Sequence, residues 1–414
     1  MDQSWIVKQQ GWRREEIEFL GSKFTIGNGY FGYCGTLEEY SREQLTACTL
    51  SELYDDSGSG WREILDVHNP LWIRGQWGGV PLSVLETQPK SHRQWLALDQ
   101  GLDGRETVFQ GPEGRITLSC QRFASASNIH LLCARYTLTA EQDAVVTVSV
   151  GIDRDLWELK GPHYQEAVFA HRDGCLCMDG LTGEMAYRVS VAQAVLPEGG
   201  WMEEHISENQ RTFHLRLQAG VPASLTICAA ICKSTDCPDP AKDAPRLAQA
   251  AVRAGWSSLL AAHRQVWRNR WETFDVVIGG DADAQLALRH SIFLLTCAAP
   301  FHTGGIAIPA RGLSGQVYKG GMFWDTELYF LPMFLHCAPQ TARNLVSYRI
   351  RNLSGALAKA KEEGYSSAFY PWESQETGQE GCTYYNLTDI FTGRSAPISG
   401  TNRSTSAPLW PTVF

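Results

Sequence analysis

The stretch RITLSC at Arg115–Cys120 alternates apolar and polar side chains, which is the period-two pattern of a half-buried β-strand. Similar short runs cover residues 129–139, 144–152 and 212–217, and Gly, Asn and Asp separate the strand-like runs. Many short strands without helical patterns between them are typical of a large antiparallel sandwich. We therefore predict an antiparallel β-sandwich over residues 1–242.

The pattern changes near residue 243, where apolar side chains begin to recur at helical spacing. Residues 244–274 are rich in Ala, Leu and Arg, and their apolar positions lie three and four residues apart. We predict a helical linker over residues 243–280. Gly255 is its expected weak point, because glycine is a poor helix former.

Helical patterns continue beyond the linker and indicate a second, mainly helical domain over residues 281–414. After Ser395 the periodicity is lost and Ser, Thr and Pro accumulate, so we predict an irregular tail. The predicted fold class is α+β with several domains. The predicted helices of the second domain cover residues 283–298, 322–335 and 340–363.

The composition argues against several classes of protein. The 414 residues include 36 Lys and Arg against 45 Asp and Glu, without a basic run, so we expect no nucleic-acid partner. No apolar stretch reaches the length of about 18 residues that a membrane span needs. Residues 1–10 lack the apolar core of a signal peptide, so we expect a cytoplasmic protein without membrane contact.

The twelve cysteines are scattered, and several lie among apolar residues, as buried free thiols usually do. Cys175 and Cys177 are the closest pair, but no second pair lies at metal-ligand spacing. The two residues fit alternate positions of a strand. We therefore expect no metal site and no cofactor.

Residues 318–327 read YKGGMFWDTE. Within this run, aromatic and acidic side chains follow a Lys residue and a Gly-Gly turn. Aromatic faces stack on sugar rings, and carboxylates accept hydrogen bonds from adjacent hydroxyls. Trp324, Asp325 and Glu327 are therefore candidate carbohydrate-binding residues. The alternative is that the two carboxylates complement the dipole at a helix N-terminus and that Trp324 is a core residue.

A second aromatic and acidic run, FYPWESQETGQE at residues 369–380, follows the glycine at position 364 that ends the preceding helical pattern. Loops at one end of a helical scaffold often carry binding residues. Trp372 and Glu373 therefore join the candidate carbohydrate site. The alternative is a solvated acidic loop with one buried Trp.

The glycine-rich run TIGNGYFGYCG at residues 25–35 lacks the Lys-Ser/Thr that follows the glycines of a phosphate-binding loop. We predict a turn between strands. His163 and His302 have no identifiable catalytic partner in the sequence, and neither a Gly-x-Ser-x-Gly nor a His-Glu-x-x-His motif occurs. The sequence thus gives no sign of an esterase or of a zinc protease.

Several runs, taken in their order along the chain, resemble glycoside hydrolase family 65, which contains phosphorylases and hydrolases. The first is similar to the family's Gly-Asn-Gly-Tyr-x-Gly signature and is followed by Glu38 and Glu39. The central runs are similar to its Ala-Arg-Gly-Leu-Ser-Gly and Phe-Trp-Asp-Thr-Glu motifs. The matching segments are Gly27–Gly32, Ala310–Gly315, Phe323–Glu327, Tyr348–Arg349 and Pro371–Ser374.

The resemblance implies an N-terminal β-sandwich, a helical linker, an (α/α)6 barrel and a small C-terminal β domain. It implies that Trp324 and Asp325 bind the sugar in the subsite where the bond is cleaved, and that Trp372 and Glu373 line the same pocket. The implied reaction is inverting: one Glu protonates the glycosidic oxygen while phosphate or water attacks the anomeric carbon from the opposite face. Inorganic phosphate is the co-substrate of a phosphorylase, and we expect a homodimer for the full-length form.

The sequence departs from the family at two positions and in length. The family often has Arg where Cys34 lies and His where Gly321 lies, which changes the local hydrogen bonding. Twelve barrel helices alone need about 135 residues without loops, which leaves residues 281–414 too short for a complete barrel. We therefore expect a partial (α/α)6 barrel and a truncated chain that lacks the family's general-acid Glu.

The tail itself suggests how the truncation arises. With permissible synonymous codons, a shift of one base converts GTNRSTSAPLWPTVF, which starts at Gly400, into DKQIHISAAVAYGV. That product is similar to the Ile-His-Ile-Ser-Ala-Asp-Ile-Ala-Tyr stretch that precedes the general acid in the family. We therefore hypothesise a frameshift near the end of the chain.

The sequence thus predicts a family 65 glycoside phosphorylase or hydrolase for α-linked glucose disaccharides, inactive as a truncated chain. The alternative is a noncatalytic carbohydrate-binding protein that uses the surface around Trp324 and Trp372. A third interpretation is a structural scaffold without a sugar site. Product formation distinguishes the first from the second, and sugar binding distinguishes the second from the third.

Overall fold

The chain forms a β-rich N-terminal part and a helical part that follows it. The computed structural model describes residues 3–58, 60–111, 113–382, 385–388 and 395–398. The predicted tail lies almost entirely outside the described residues, and the hypothesised frameshift lies entirely outside them.

Most of the strands precede residue 234 in the chain, and most of the α-helices follow it. The strands are β1 (Ile6–Gln10), β2 (Ile26–Gly27), β3 (Phe31–Tyr33), β4 (Cys48–Asp55), β5 (Glu63–Asp66), β6 (Trp72–Trp77), β7 (Val80–Pro81), β8 (Ser91–Ala97), β9 (Leu102–Gly111), β10 (Gly114–Ala124), β11 (Leu131–Ala140), β12 (Ala144–Gly151), β13 (Tyr164–Arg172), β14 (Cys175–Thr182), β15 (Arg188–Glu198), β16 (Met202–Ile206), β17 (Gln210–Leu217), β18 (Ala223–Lys233), β19 (Met322–Phe323), β20 (Glu373–Ser374), β21 (Tyr385–Thr388) and β22 (Ser395–Ile398). The α-helices are α1 (Ile17–Lys23), α2 (Pro240–Ala254), α3 (Trp256–Phe274), α4 (Ala282–Ala298), α5 (Leu331–Cys337), α6 (Pro339–Arg351) and α7 (Leu353–Glu362).

Two antiparallel sheets stack over a shared apolar core. The larger sheet has nine strands in the order β1-β8-β9-β10-β11-β18-β15-β14-β13, and the other has five in the order β16-β17-β12-β6-β7. Ile116 and Leu118 of the larger sheet lie in the same buried cluster as Val146 and Val148 of the smaller one. Alternate side chains of each strand thus meet between the sheets, and the predicted antiparallel sandwich is confirmed.

The other face of the nine-stranded sheet is covered by the linker helices. Small side chains of the sheet, among them Cys228 and Ala230, pack with Ala244 and Ala248 of α2 in a second buried cluster. Because both faces of β18 are covered, every residue of that strand is buried, which explains its nearly unbroken apolar sequence. The cysteines are free thiols and most of them are buried, as the sequence predicts.

A glycine turn joins the small sheet β2-β3-β4-β5 to the helical part. Gly29 lies in the left-handed region at φ 84°, and its amide donates to Cys297 O at 2.8 Å. A Cβ on Gly29 would lie 2.0 Å from Ala299 O, so a larger residue does not fit. The predicted glycine-rich turn between strands is confirmed, and its place is the contact between the sandwich and the end of α4.

The linker consists of two helices that meet at the predicted weak point. α2 ends at Ala254 and α3 begins at Trp256, while Gly255 between them adopts φ 79°. Nowhere in the described part of the chain is a helix both long and apolar enough to cross a bilayer.

The prediction of one helix over residues 322–335 is wrong at its start. β19 occupies the first two positions, Thr326–Phe330 form a π-helical turn, and only then does α5 begin. The start is extended because β19 pairs with β20, which lies far away in the sequence. Local periodicity does not encode such a distant pairing.

The predicted helix over residues 340–363 is broken in two. Asn352 separates α6 from α7, with φ −95° and ψ 17°. The loop around Gly378 packs against this break, because a Cβ on Gly378 would lie 2.4 Å from Asn352 Cβ. A Cβ on Gly355 would likewise lie 2.2 Å from Gly378 O. The bend therefore lets the loop that contains β20 approach the helix backbone closely.

Candidate functional site

A short antiparallel ladder brings the two predicted aromatic and acidic runs together. β19 pairs with β20, so that Met322 lies opposite Ser374 and Phe323 lies opposite Glu373. Ser374 Oγ also donates a hydrogen bond to Met322 O at 3.1 Å. The two runs, although separate in the sequence, therefore form one candidate site.

Three aromatic rings form an aromatic wall in this site. The ring centroids of Trp324 and Trp372 lie 5.7 Å apart at an interplanar angle of 70°. Phe323 lies 5.9 Å from Trp372 at 85°. Both indoles are only half-buried, so part of each ring remains accessible. Edge-to-face contacts hold the rings in place, and the accessible faces suit the apolar face of a sugar.

Two polar groups of the site have no partner in the part of the chain that the structure describes. The half-buried carboxylate of Asp325 makes neither a hydrogen bond nor an ion pair there. The buried indole N–H of Trp324 lacks an acceptor there. Partial burial raises the pKa of the Asp325 carboxyl. The Asp325 carboxylate can therefore accept a hydrogen bond from a hydroxyl group of a ligand, and the Trp324 N–H beside it is a donor without an acceptor among the described residues.

Glu373 is buried beside a lysine, in space that a glycine provides. Lys319 Nζ lies 3.3 Å from Glu373 Oε1 and donates to Gly381 O at 2.5 Å. Burial raises the pKa of Glu373, and the charge of Lys319 opposes that rise. A Cβ on Gly321 would lie 2.6 Å from Glu373 Oε1. The histidine that the family often has at this position would therefore require Glu373 to move.

Glu327 is buried and enclosed in an ion pair. Arg349 Nε lies 2.9 Å from Glu327 Oε1, and Arg349 Nη2 lies 3.0 Å from Glu327 Oε2. The same guanidinium donates to Ser374 Oγ and to Phe323 O, each at 2.9 Å. Because Arg349 thereby holds both strands of the ladder, the geometry favours a positioning role for Glu327 over the direct sugar contact that the sequence predicts.

The loop that carries Trp372 is organised by Glu380. Its carboxylate accepts from the backbone amides of Trp372 at 3.0 Å and Glu373 at 3.1 Å. Lys359 of α7 donates to the same carboxylate at 2.5 Å. Glu380 thus ties the site loop to the helix behind it.

Two residues directly before the site have strained backbones. Tyr318 and Lys319 both lie in the left-handed region, at φ 60° and 57°. Such conformations cost about 1 to 3 kcal/mol for residues other than glycine and concentrate at functional sites. Of these two residues, Lys319 is the one that contacts Glu373.

The aromatic and acidic residues of the site are recognisable in the sequence, but the residues that position them are not. Lys319 and Glu380 stand inside the two quoted runs, and Arg349 stands inside a matching segment. Their charges are the available signal, but the oppositely charged partners Glu373, Lys359 and Glu327 lie on other elements, so these ion pairs could not be predicted from the sequence.

The glycine-rich run at residues 25–35 lies elsewhere. Residues of that run line a cavity of about 460 Å³ together with Cys297 and Leu313 at the contact between the domains. None of the five predicted sugar-binding residues lines this cavity. The run therefore supports the contact between domains and is not part of the aromatic site.

Comparison with protein families agrees with the motifs and with this geometry. Residues 7–270 match the N-terminal domain of glycosyl hydrolase family 65, and residues 289–406 match the family's central catalytic domain. The chain belongs to glycosyl hydrolase family 65. The five predicted sugar-binding residues all lie in the part that matches the catalytic domain of family 65.

Several curated members of family 65 are similar to almost the whole chain. The nigerose phosphorylase of Lachnoclostridium phytofermentans is 35% identical, over 94% of this chain and 55% of the relative. The 1,2-alpha-glucosylglycerol phosphorylase of Bacillus selenitireducens is 35% identical, over 94% and 51%. The kojibiose phosphorylase of Halothermothrix orenii is 27% identical, over 95% and 53%. The chain thus spans about half the length of these relatives.

A solved structure from the human microbiome, which carries a provisional kojibiose phosphorylase name, has the same fold. It superposes with a TM-score of 0.82 at 18% identity and covers 92% of this chain and 53% of that one. This agreement confirms the predicted fold class for the sandwich and the helices that follow it.

Proposed function

We propose that the chain forms the sugar-binding part of an inverting glycoside phosphorylase of family 65 that acts on α-linked glucose disaccharides. The observation that carries this proposal is the aromatic wall with the unpartnered Asp325 carboxylate and Trp324 indole N–H beside it. An apolar ring face next to a free acceptor and a free donor matches the two-sided chemistry of a pyranose. The names of the relatives support the substrate class and the phosphorylase reaction.

The site residues then divide into two roles. Trp324, Asp325 and Trp372 contact the sugar, and Glu373 lines the same pocket from its position beside Lys319. Glu327 acts through Arg349, which holds the two strands that carry the indoles. No cofactor enters the proposed reaction, in which inorganic phosphate is the attacking co-substrate.

The acid that protonates the glycosidic oxygen is not placed among the described residues. The family resemblance puts it in a later segment of the barrel, for which the described residues offer no counterpart. We therefore propose that the 414-residue chain binds its sugar but turns it over slowly or not at all. A cytoplasmic location and a homodimeric full-length form stay predictions from the sequence.

The test is glucose 1-phosphate release from a panel of α-linked glucose disaccharides with phosphate. The chain itself and a frame-repaired, extended version are assayed side by side, and free glucose is followed in parallel. We expect product only from the extended version. Free glucose without glucose 1-phosphate would make water the nucleophile, and a normal rate from the shorter chain would overturn the proposed dependence on a later segment.

Sugar binding is measured separately by calorimetry on both versions. We expect Asp325→Asn to weaken binding by about 10- to 100-fold, because a charged hydrogen bond contributes about 1.5 to 3 kcal/mol. Asp155→Asn is the matched control, since Asp155 is exposed and lies in the sandwich. An unchanged affinity in Asp325→Asn would remove Asp325 from the proposed site.

The second candidate function is a noncatalytic carbohydrate-binding protein. It is favoured by one observation, namely that the half-buried indoles of Trp324 and Trp372 form a surface that could bind a sugar without any catalytic group. Saturable sugar binding by both versions, without product from either, would support it. Absence of sugar binding in a folded extended version would contradict both candidate functions.

A further inference from the structure

A histidine and two cysteines meet at the junction between the sandwich and the linker, far from the candidate sugar site in the sequence. His130, Cys232 and Cys237 each place one potential ligand atom within 4.8 Å of the others. Cys232 is fully buried, Cys237 is nearly so, and His130 is half-buried. We refer to these three residues as the junction cluster.

The backbone around the junction cluster explains how residues distant in the sequence converge. His130 lies directly before β11, and its backbone oxygen accepts from Ile231 N of the neighbouring β18 at 2.9 Å. Cys232 is the next residue of that strand. The chain then reverses, with Cys237 N donating to Lys233 O at 2.9 Å, and this turn brings Cys237 back toward Cys232.

The histidine ring has a defined orientation and tautomer. His130 Nδ1 lies 3.0 Å from Ile231 O, and a carbonyl oxygen can only accept a hydrogen bond. Nδ1 therefore carries the proton, and Nε2 of the neutral ring keeps its lone pair. A backbone carbonyl that fixes the other ring nitrogen is the usual arrangement behind a histidine that binds a metal. The Tyr30 ring, 4.7 Å away and at 70°, packs against the imidazole.

We propose that His130 Nε2, Cys232 Sγ and Cys237 Sγ bind one Zn²⁺ at this junction. Two thiolates and an imidazole are a donor set that suits zinc, with bonds of about 2.3 Å to sulfur and about 2.0 Å to nitrogen. Ligand atoms in such a tetrahedron lie about 3.3 to 3.8 Å apart, so small side-chain rotations close the cluster around the ion. The fourth position is left for water, since no fourth His, Cys, Asp or Glu atom joins the cluster among the described residues.

Binding changes the protonation of the two thiols in a defined way. The thiolate, not the thiol, binds a metal, so each of the two cysteines must lose its S–H proton to become a ligand. Each sulfur therefore releases its proton to solvent as the Zn–S bond forms, while the imidazole releases none. Two protons leave for each Zn²⁺ bound.

The proposed ion would connect the sandwich to the start of the linker. Cys237 lies between β18 and α2, and Asp236 beside it accepts from Tyr30 OH at 3.2 Å. Tyr30 belongs to the glycine-rich turn that packs against the end of α4. A metal that binds only the folded chain stabilises it by mass action, so the melting temperature should rise with the free metal concentration.

The experiment is a titration of the reduced full chain with Co²⁺, a spectroscopic substitute for Zn²⁺. We expect one equivalent to produce a thiolate-to-cobalt charge-transfer band together with the visible bands of tetrahedral Co²⁺. One equivalent of Zn²⁺ should then abolish both signals and, in weakly buffered solution, release two protons when added to the apo chain. Octahedral Co²⁺ spectra without a thiolate band would overturn the proposal.

The variants are Cys232→Ala, Cys237→Ser and His130→Gln, with Cys228→Ser as the matched control. Cys228 is a buried thiol of the same strand and belongs to the same apolar cluster, but it is not part of the junction cluster. We expect each of the three ligand variants to weaken Co²⁺ binding by at least about 100-fold, which exceeds the effect usual for outer-shell partners. The control should bind as the unmodified chain does.

Two further results decide between the proposal and its competitors. A thiol count on the unreduced, denatured chain should find all twelve cysteines free, whereas a loss of two in the unmodified chain but not in Cys232→Ala would indicate a Cys232–Cys237 disulfide and contradict the proposal. The apo forms of the variants should melt close to the apo unmodified chain. If a thiolate band of full intensity persists in a folded Cys232→Ala chain, the cobalt sits on other cysteines and the assignment is wrong.

Discussion

The buried arginines of the sandwich and the buried arginine of the candidate sugar site differ in what surrounds them. In the sandwich, Arg105 lies 2.7 Å from Glu38 and 2.6 Å from Glu39, and Arg122 Nε lies 2.9 Å from Asp103. All five side chains are almost fully enclosed. These charges are paired within the fold, although Glu38 Oε1 makes no hydrogen bond among the described residues and lies 3.5 Å from Arg122 Nε.

At the candidate sugar site the ion pair is enclosed but its neighbours are not. Arg349 and Glu327 are as buried as the sandwich pairs, yet the Asp325 carboxylate and the Trp324 indole N–H a few residues away lack partners in the described structure. Unsatisfied polar groups cost stability, and at the candidate site a bound sugar would supply the missing partners. The buried ion pairs therefore hold the fold, whereas Asp325 and Trp324 are the groups that we propose for sugar binding.

The largest expected effect is on the sandwich. Arg105→Met leaves the buried carboxylate of Glu39 without its cation and Glu38 with only Arg122, 3.5 Å away, and we expect the free energy of unfolding to fall by about 3 to 5 kcal/mol. Urea titration followed by tryptophan fluorescence measures this loss. Arg93→Met is the control, because the Arg93–Glu106 pair is exposed and should contribute at most about 1 kcal/mol. Equal losses in both variants would mean that burial does not determine how much these ion pairs contribute to stability.

The next effect tests the ion pair beneath the sugar site. Arg349→Lys keeps the charge but loses the paired bonds to Glu327 and the bonds to Ser374 Oγ and Phe323 O. We expect a loss of about 2 to 3 kcal/mol in stability together with weaker sugar binding, because the ladder that carries the indoles loosens. Arg343→Lys, on the exposed side of α6, should change neither quantity. Normal sugar affinity in Arg349→Lys would contradict the positioning role.

The sequence predicted the strands and the aromatic residues better than the partners of the buried charges. Strand periodicity and aromatic composition are local, so the sandwich and the pair Trp324 and Trp372 could be predicted. Partners of buried charges are not local: nothing in the sequence pairs Arg105 with Glu39, or Lys319 with Glu373. The extended start at Met322 was missed for the same reason, since its pairing partner lies on a distant loop.

Asp66 is a buried acid of the sandwich that does not belong to the arginine ion pairs, and it gives a pH-dependent prediction. Asp66 is fully buried, and burial raises its pKa to about 7. The native state thus keeps a proton that the unfolded state, with a pKa near 4, has released. Stability that depends on Asp66 is therefore present at low pH and is lost as the pH rises from about 4 to about 7.

Urea titrations of the unmodified chain and of Asp66→Asn across that range measure the difference. We expect the unmodified chain to lose stability relative to the variant by at most about 1.4 kcal/mol per pH unit, with no further change above about pH 7. The asparagine variant is the appropriate reference because it has a similar shape and cannot ionise. If the difference in stability between the two chains does not depend on pH, Asp66 is ionised in the folded chain and is paired with a cation.

The smallest expected effect is the stability change in Asp325→Asn, and it is the sharpest test of the comparison. Asp325 has no partner to lose in the described structure, and partial burial already disfavours its charge, so unfolding free energies should agree within about 0.5 kcal/mol. The same variant is expected to lose most of its sugar affinity, whereas the expected effect of Arg105→Met is a loss of stability. A loss of several kcal/mol in Asp325→Asn would place Asp325 among the charges that hold the fold, and the aromatic wall would then lack the free carboxylate on which the proposed sugar site depends.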